Sequence, residues 1–407
     1  MVALPRKRTL ALAAATLLTA VAAGADATVN VIHSKLPAQA LALDPEDPVA
    51  LVRDAQLRIA SGEGFEGGTD TVFDIARRSV ISAPINPAAL RLSGVVSSAN
   101  SDIEGVRRQM SLSDRMGRRD LASQLWLIED AVLRNDVDAA LRHYDTALRV
   151  QESSRALLYP VLTNALAEPV IRARFMRFLR EKPEWLESFF RFALTNTDNY
   201  TAIADMVQRA GGFPDEPAFS SFNTDLMRGL VEQGNFNAAA KHFLTIEGAD
   251  PGLLTSLALS RASSSEALAP VAWQPYSIPG IVPYVVATNE NAVEVESDIE
   301  AGYSGPVIRK LLRLQPGRYR LRSGFRAANF GTRDVARWSM VCGSSQETRE
   351  IFTATENLAS SFSIDGSFTV PAGCSAQMLT LSTVTNPVPG DIELEFVRAE
   401  LTRLGPE

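Results

Sequence analysis

The run Arg142-His143-Tyr144 gathers the residue types of an acid–base cluster in a sequence that contains only three histidines. A histidine can act as a general base near neutral pH. However, neighbouring residues of a helix point about 100° apart, so these side chains do not converge on one substrate atom. His242 precedes Phe243 as His143 precedes Tyr144, and such a recurrent position indicates a surface or interhelix contact. We therefore predict no catalytic residues and no enzyme.

Other motifs of catalytic or cofactor sites are weak or missing. Residues Gly62–Gly67 match the letters of GxGxxG, but no strand precedes them and no βαβ unit surrounds them. We predict a flexible loop between helices there. The sequence has no P-loop, no G-x-S-x-G and no HExxH motif. We expect neither a cofactor nor a metal site.

The two cysteines, Cys342 and Cys374, lie near the C-terminal end of the sequence. In a reducing cytosol they would be free, buried thiols. In an oxidising compartment, an even number of cysteines within one small domain favours a bridge. No histidine lies near either residue, which disfavours a metal site. We predict a Cys342–Cys374 disulfide.

Residues 1–27 have the pattern of a signal peptide. A basic group, Arg6 to Arg8, precedes the uncharged, Ala- and Leu-rich stretch Leu10–Gly24, and small residues that fit A-x-A cleavage follow. The stretch is short for a membrane-spanning helix. We predict a cleaved signal and a periplasmic or secreted protein. The alternative is an uncleaved anchor that holds the protein at the inner membrane, facing the periplasm.

Length and charge limit the remaining possibilities. A chain of 407 residues is too long for one ordinary core, so we expect two domains. The sequence is 46% hydrophobic and 21% charged, as in globular proteins. Its net charge of −7 argues against a general nucleic-acid binder, which usually needs a basic face. We predict no nucleic-acid partner, and membrane contact only through residues 1–27 if they stay uncleaved.

A helical stripe recurs through the first two thirds of the chain. It combines Ala140, Tyr144 and Ala147 on one side of a helix, where small residues let a neighbouring helix approach closely. Equivalent stripes end at positions 79, 113, 147, 178, 210 and 246, so the first three are 34 residues apart. The remaining stripes are Val72, Ala76, Ser79; Val106, Met110, Ser113; Ile171, Phe175, Phe178; Ile203, Val207, Ala210; and Ala239, Phe243, Ile246.

This pattern resembles the tetratricopeptide repeat over roughly residues 46–258. Gly94 stands where that motif has a small residue in its first helix, whereas Ile128 and Met227 occupy the equivalent places elsewhere, and the first-helix Trp is missing. The resemblance implies a solenoid of stacked helical hairpins that binds a protein partner on its surface. Residues 28–45 would form an N-terminal extension.

Two segments, RRDLASQLWLIEDAV and LRHYDTAL, resemble tetratricopeptide-repeat proteins of proteobacteria that are encoded with polysaccharide genes. That resemblance implies a role in exopolysaccharide assembly or export. A helical toroid followed by a β-sandwich is also the architecture of some polysaccharide lyases, which use a Tyr, His and Arg cluster. A lyase-like enzyme is therefore one alternative, and a purely structural envelope subunit is another.

The period changes in the last third of the chain. The serine-rich segment 259–275 indicates a linker, and short β-branched or aromatic runs follow, separated by Gly, Pro, Asn and Asp. We predict an antiparallel β-sandwich of jelly-roll type over residues 276–404. The predicted strands are Val282–Val286, Val293–Ile299, Tyr319–Phe325, Val335–Cys342, Ser361–Val370, Gln377–Thr383 and Ile392–Leu401.

The segment Leu314–Leu321 resembles the entry strand of many jelly-roll accessory modules, including carbohydrate-binding ones. In those modules Pro and Gly form the turn and the Tyr packs inward, so the resemblance implies a fold and no ligand. Two predicted strands have acidic faces, from Glu294 to Glu300 and from Asp391 to Glu395, and a third has the basic face Arg318, Arg320, Arg322. We predict cross-strand charge pairing on a solvated face, and the alternative is a metal or ligand site built from the carboxylates.

Glycan binding by the sandwich requires exposed aromatic rings that stack on sugars, beside polar groups for the hydroxyls. Trp273, Tyr276 and Tyr303 lie in loop-like sequence and are the predicted candidates. The alternative is that these three pack at the domain junction. Trp338 shares a strand face with Met340 and Cys342, so we expect it to pack inward, against the disulfide.

Overall fold

Helix starts in the first part of the chain are set by aspartates. In a computed structural model of the protein, the carboxylates of Asp47, Asp102, Asp120 and Asp136 each accept a hydrogen bond from a backbone N–H in the first turn of the following helix. The structure describes residues 23, 26–62, 69–99, 101–343, 348–387 and 390–405. Most of the predicted signal segment and of the Gly62–Gly67 loop lies outside these residues.

The chain divides into two compact units, Met1–Leu158 and Tyr159–Glu407. The described part of the first unit is helical. The second contains further helices and all of the described β-strands, so the fold is two-part, α followed by β. The first unit's helices with both ends described are α1 Pro37–Leu43, α2 Pro48–Ser61, α3 Thr69–Ser82, α4 Pro87–Ala99, α5 Ile103–Met116, α6 Leu121–Leu133 and α7 Val137–Val150; residues 26–32 are also helical, and α8 Arg155–Ala165 crosses the boundary.

The predicted stripes are buried in the first unit. In α7, Ala140 is 6% exposed and packs with Ala131 and Ala139, and Tyr144 and Ala147 are buried on the same side. The stripes of α3 and α5 are buried as well. Helix α1 lies within the predicted N-terminal extension. The regular tetratricopeptide arrangement stays a prediction.

Replacing Ala140 by a large residue tests the stripe. We expect Ala140→Leu to lower the free energy of unfolding by about 1–3 kcal/mol, because the added carbons have no space between α6 and α7. Arg142→Leu, at an exposed position of the same helix, is the control. Thermal unfolding measures both, and equal melting temperatures would contradict the close packing at Ala140.

Aromatic side chains build the helical part of the second unit. Trp185, Phe189 and Phe190 are fully buried. The rings of Trp185 and Phe190 pack edge-on with Phe175, and Phe189 packs edge-on with both Trp185 and Phe190. The helices are α9 Pro169–Glu181, α10 Leu186–Ala193, α11 Tyr200–Ala210, α12 Phe222–Glu232 and α13 Phe236–Phe243. Among the described residues, no helix combines the length and the hydropathy that crossing a membrane requires.

The strands form two antiparallel sheets that pack as a sandwich. The first sheet has the order β1-β4-β9-β6-β7 and the second β2-β3-β10-β5-β8. All seven predicted strands are present, and β1, β4 and β7 are additional. The strands are β1 Gln274–Pro275, β2 Ile281–Ala287, β3 Val293–Ile299, β4 Gly305–Leu312, β5 Gly317–Ala328, β6 Val335–Gly343, β7 Thr348–Asn357, β8 Phe362–Val370, β9 Gln377–Val384 and β10 Ile392–Arg403.

The segment that was predicted to be a linker, 259–275, is packed against the sandwich. Val271, Ala272 and Trp273 are fully buried, and Ser260 pairs with Ala292 at the end of the β2–β3 hairpin. The apolar run before β1 explains this, because it fills the sandwich core rather than remaining in solvent. The sandwich therefore begins before residue 276.

The predicted disulfide is confirmed. Cys342 at the end of β6 is bonded to Cys374, which lies between β8 and β9. Trp338 is fully buried in the same core cluster, as predicted, and its indole N–H donates to the Ser323 hydroxyl at 2.9 Å.

Candidate functional site

The outer face of the first sheet is partly covered. Helix α13 contacts β4, β6 and β9, and the ring of Phe236 occupies the space where a side chain at Gly343 would lie. Leu311 and Met378 point outward, opposite in direction to their core-facing neighbours, yet both are buried. The helices of the second unit therefore take up much of this face.

The outer face of the second sheet is open, and one aromatic ring stands on it. Tyr284 on β2 is 41% exposed and lies directly opposite Glu296 on β3. The neighbouring pair on the same face is Val282, 53% exposed, opposite Asp298. Burial, together with the nearby carboxylates, raises the pKa of Tyr284, so this phenol stays protonated.

Carboxylates continue across the centre of this face. Glu395 on β10 is opposite Glu296, and Glu393 is opposite Asp298. Like charges directly opposite on neighbouring strands destabilise a sheet. Arg326 on β5 offsets part of this repulsion, because its guanidinium is bonded to Glu395 and lies 2.8 Å from a Glu294 oxygen.

The rest of the face shows the predicted cross-strand charge pairing. Arg320 and Arg322 on β5 both contact Asp365 on β8, at 2.6 and 3.2 Å. The hydrogen bonds from Arg320 hold the pKa of Asp365 below its usual range. Across the ranges that the structure describes, no cluster of His, Cys, Asp or Glu has the geometry of a metal site.

The three predicted glycan-binding residues lie in different environments. Trp273 is fully buried against Trp338 and Phe396, so its ring has no face for a sugar; its loop-like sequence gave no sign of this tertiary burial. Tyr276 is half-buried, with the Arg309 guanidinium 4.7 Å from its ring centroid. Tyr303 is 42% exposed.

Tyr303 lies beside the start of β2. Its ring occupies the space next to Gly280, which has a φ of 76° in the turn before that strand. Tyr284 was not predicted as a ligand contact. The signal for it was present in the sequence, because Val282 and Tyr284 are two positions apart on one strand and thus share a face.

The residues of the lyase-like alternative point in three directions. Arg142 is exposed, Tyr144 is buried, and the His143 ring is held 2.9 Å from the Gln124 side-chain oxygen. Burial lowers the pKa of His143 and raises that of Tyr144. His242 is fully buried with a pKa lowered to about 4, and it contacts Asn223.

Lys310 on β4 is an unusual member of the sandwich core. It is fully buried, its ammonium donates to the Val271 carbonyl oxygen, and it lies 5.5 Å from the Trp273 ring centroid. Burial lowers its pKa to about 7. The folded state therefore disfavours the charged form of this side chain.

The lowered pKa of Lys310 makes the stability of the protein depend on pH. Between about pH 7 and 10.4 the unfolded chain binds the proton and the folded chain does not, so this group makes stability rise with pH in that window. We expect Lys310→Met to raise the free energy of unfolding at pH 6 by about 1–4 kcal/mol. The variant should also lose the increase in stability between about pH 7 and 10.4. The control is Lys241→Met, at an exposed position. Parallel stability–pH curves for wild type and Lys310→Met would contradict the account.

Comparison with known proteins gives limited information. No protein-family model and no curated protein matches the chain. One similar solved structure is a CBM4 structure, with 11% identity, a TM-score of 0.23 and a match over 30% of this chain and 78% of that one. A second is TmCBM61 in complex with β-1,4-galactotriose, with 12% identity, a TM-score of 0.24 and a match over 33% of this chain and 90% of that one. A third is the CBM22-2 xylan-binding domain from Paenibacillus barcinonensis Xyn10C, with 12% identity, a TM-score of 0.23 and a match over 32% of this chain and 91% of that one. Similarity at this level assigns no ligand to the chain.

Proposed function

We propose that the protein is a non-enzymatic, exported glycan-binding protein, and that the outer face of its second sheet binds the glycan. The observation that carries the proposal is the exposed ring of Tyr284, which shares the outer face of the second sheet with several carboxylates and Arg326. Stacking on an aromatic ring and hydrogen bonding to polar side chains are what a sugar requires.

Each group on this face has a part in the proposed contact. The Tyr284 ring stacks on the apolar side of a sugar, Glu296 and Asp298 accept hydrogen bonds from hydroxyls, and Arg326 donates them. Strands lie about 4.8 Å apart, so the row from Tyr284 across β3 and β10 to Arg326 spans about 14 Å, enough for a short oligosaccharide. Because carboxylates dominate the centre, the ligand is a neutral glycan.

The disulfide is consistent with export, since such bonds persist in oxidising compartments. A periplasmic or secreted location is therefore part of the proposal, as is a role in exopolysaccharide assembly or export, which comes from the sequence resemblance.

Replacing Tyr284 tests the glycan site. In calorimetric titrations with neutral xylo-, cello- and galacto-oligosaccharides, we expect Tyr284→Ala to weaken binding by tenfold or more, about 1.4 kcal/mol, because the stacking surface is lost. Phe73→Ala removes a similarly exposed ring, 50% against 41% for Tyr284, from the helical unit and should leave the affinity unchanged. The proposal fails if none of these sugars binds the wild-type chain, or if Tyr284→Ala binds as tightly.

A second function, binding of a protein partner by the helices, has its own support. A groove of about 210 Å³ between α3 and α4 of the first unit is lined by five apolar residues together with Arg77, Ser93 and Ser97. Of the apolar ones, Phe73 is 50% and Ile81 67% exposed. Ile85, which follows α3, is 74% exposed. Contiguous exposed apolar residues of this kind mark interaction surfaces. We propose an apolar segment of another envelope protein as the occupant.

A pull-down from the envelope fraction tests the second function. A protein captured by the wild-type chain should be lost with Ile81→Asp, because a carboxylate in the groove repels an apolar segment. Arg142→Asp, at an exposed position on α7, should still capture it. Retention by Ile81→Asp would place the partner elsewhere.

A further inference from the structure

A second group of polar residues lies on the first sheet of the sandwich, where the side chain of Arg309 on β4 comes within 3.8 Å of Glu232 on α12. Arg309 on β4 is paired with Gln274 on β1, and its Nε donates to the Gln274 side-chain oxygen at 2.8 Å. Its guanidinium carbon is 4.7 Å from the Tyr276 ring centroid. Arg228 and Glu232, one turn apart on α12, complete the group. All of these residues belong to the second unit.

The positive charge at this place has little compensation. The Arg309 side chain is only 11% exposed, yet its strongest contact is to the neutral Gln274. The nearest paired carboxylate, that of Glu232, is 3.8 Å away and 62% exposed. Such long pairs with exposed partners contribute little, whereas a buried charge without a close partner is costly.

Arg228 adds a second positive charge that has only a weak partner. Its carboxylate partner, Glu266, lies 3.5 Å away and is 91% exposed, and its own Nε is buried with no hydrogen-bond partner. Burial is the main cause that lowers the pKa of Arg309, and the nearby Arg228 adds to the effect. Two guanidinium groups thus lie near an aromatic ring, and among the described residues each has only one exposed carboxylate partner, at 3.8 Å for Arg309 and 3.5 Å for Arg228.

We propose that Arg309, Arg228 and Tyr276 form a binding subsite for an acidic sugar, with the guanidinium groups holding its carboxylate. The guanidinium fork matches a carboxylate with two parallel hydrogen bonds, and the half-buried ring of Tyr276 provides the adjoining apolar surface for the sugar ring. The subsite is distinct from the neutral-glycan face around Tyr284 and does not depend on it.

Titration of the full chain with trigalacturonate at low salt tests this inference. We expect binding that weakens as salt is added and that Arg309→Gln reduces by tenfold or more. Arg309→Lys keeps the charge without the fork and should restore only part of the affinity. Arg320→Gln, which removes an equal charge from the opposite sheet, is the control and should bind like the wild type.

A further variant keeps the test independent of folding defects. Glu232 is exposed and competes for Arg309, so Glu232→Gln should bind trigalacturonate more tightly. The inference is overturned if trigalacturonate does not bind the wild-type chain, or if it binds Arg309→Gln and Arg320→Gln equally tightly. It is also overturned if millimolar phosphate displaces trigalacturonate as readily as a mixture of acetate and galactotriose does, because the site then binds any anion. If the acidic-sugar inference fails, the proposal for the neutral-glycan face still stands, because Tyr284→Ala with neutral sugars tests that face alone.

Discussion

Side chains of a β-strand alternate between the two faces of its sheet, and this alternation determines what the sandwich can bind. Every second residue of the two sheets is committed to the core, where Trp273, Trp338, Phe325 and Phe396 pack together. On the strands themselves, the outward residues remain for a ligand. On the first sheet the helices of the same unit take up part of that set, and on the second they leave it open.

The two proposed sites therefore differ in chemistry because they differ in what surrounds them. The face around Tyr284 is solvated and rich in carboxylates, which suits hydroxyl groups and repels polyanions. The Arg309 side chain is 11% exposed, and in the described part of the chain the guanidinium groups of Arg309 and Arg228 have only exposed carboxylate partners. A heteropolysaccharide that contains both neutral and acidic sugars could use the two in turn.

Local patterns predicted the elements that have a regular period. The stripe at Ala140 and the alternation in Val293–Ile299 follow directly from helical and strand geometry, and both are observed. Strand β4 was missed because Arg309 and Lys310 interrupt its apolar run, and β7 was missed because most of its residues are polar. Burial of Trp273 depends on contacts with strands distant in sequence, which no local pattern reveals. The sites at Tyr284 and Arg309 likewise arise from residues that only the sheet register and helix packing bring together.

Hydroxyl-radical footprinting with mass spectrometry tests the central claim, that the open face of the second sheet is where the glycan binds. Tyr284 is 41% exposed and therefore reactive in the free protein, as is Phe73 in the helical unit, at 50%. With a saturating neutral oligosaccharide, the oxidation rate of Tyr284 should fall several-fold while that of Phe73 stays the same. Glycan binding with no change at Tyr284 would contradict the account.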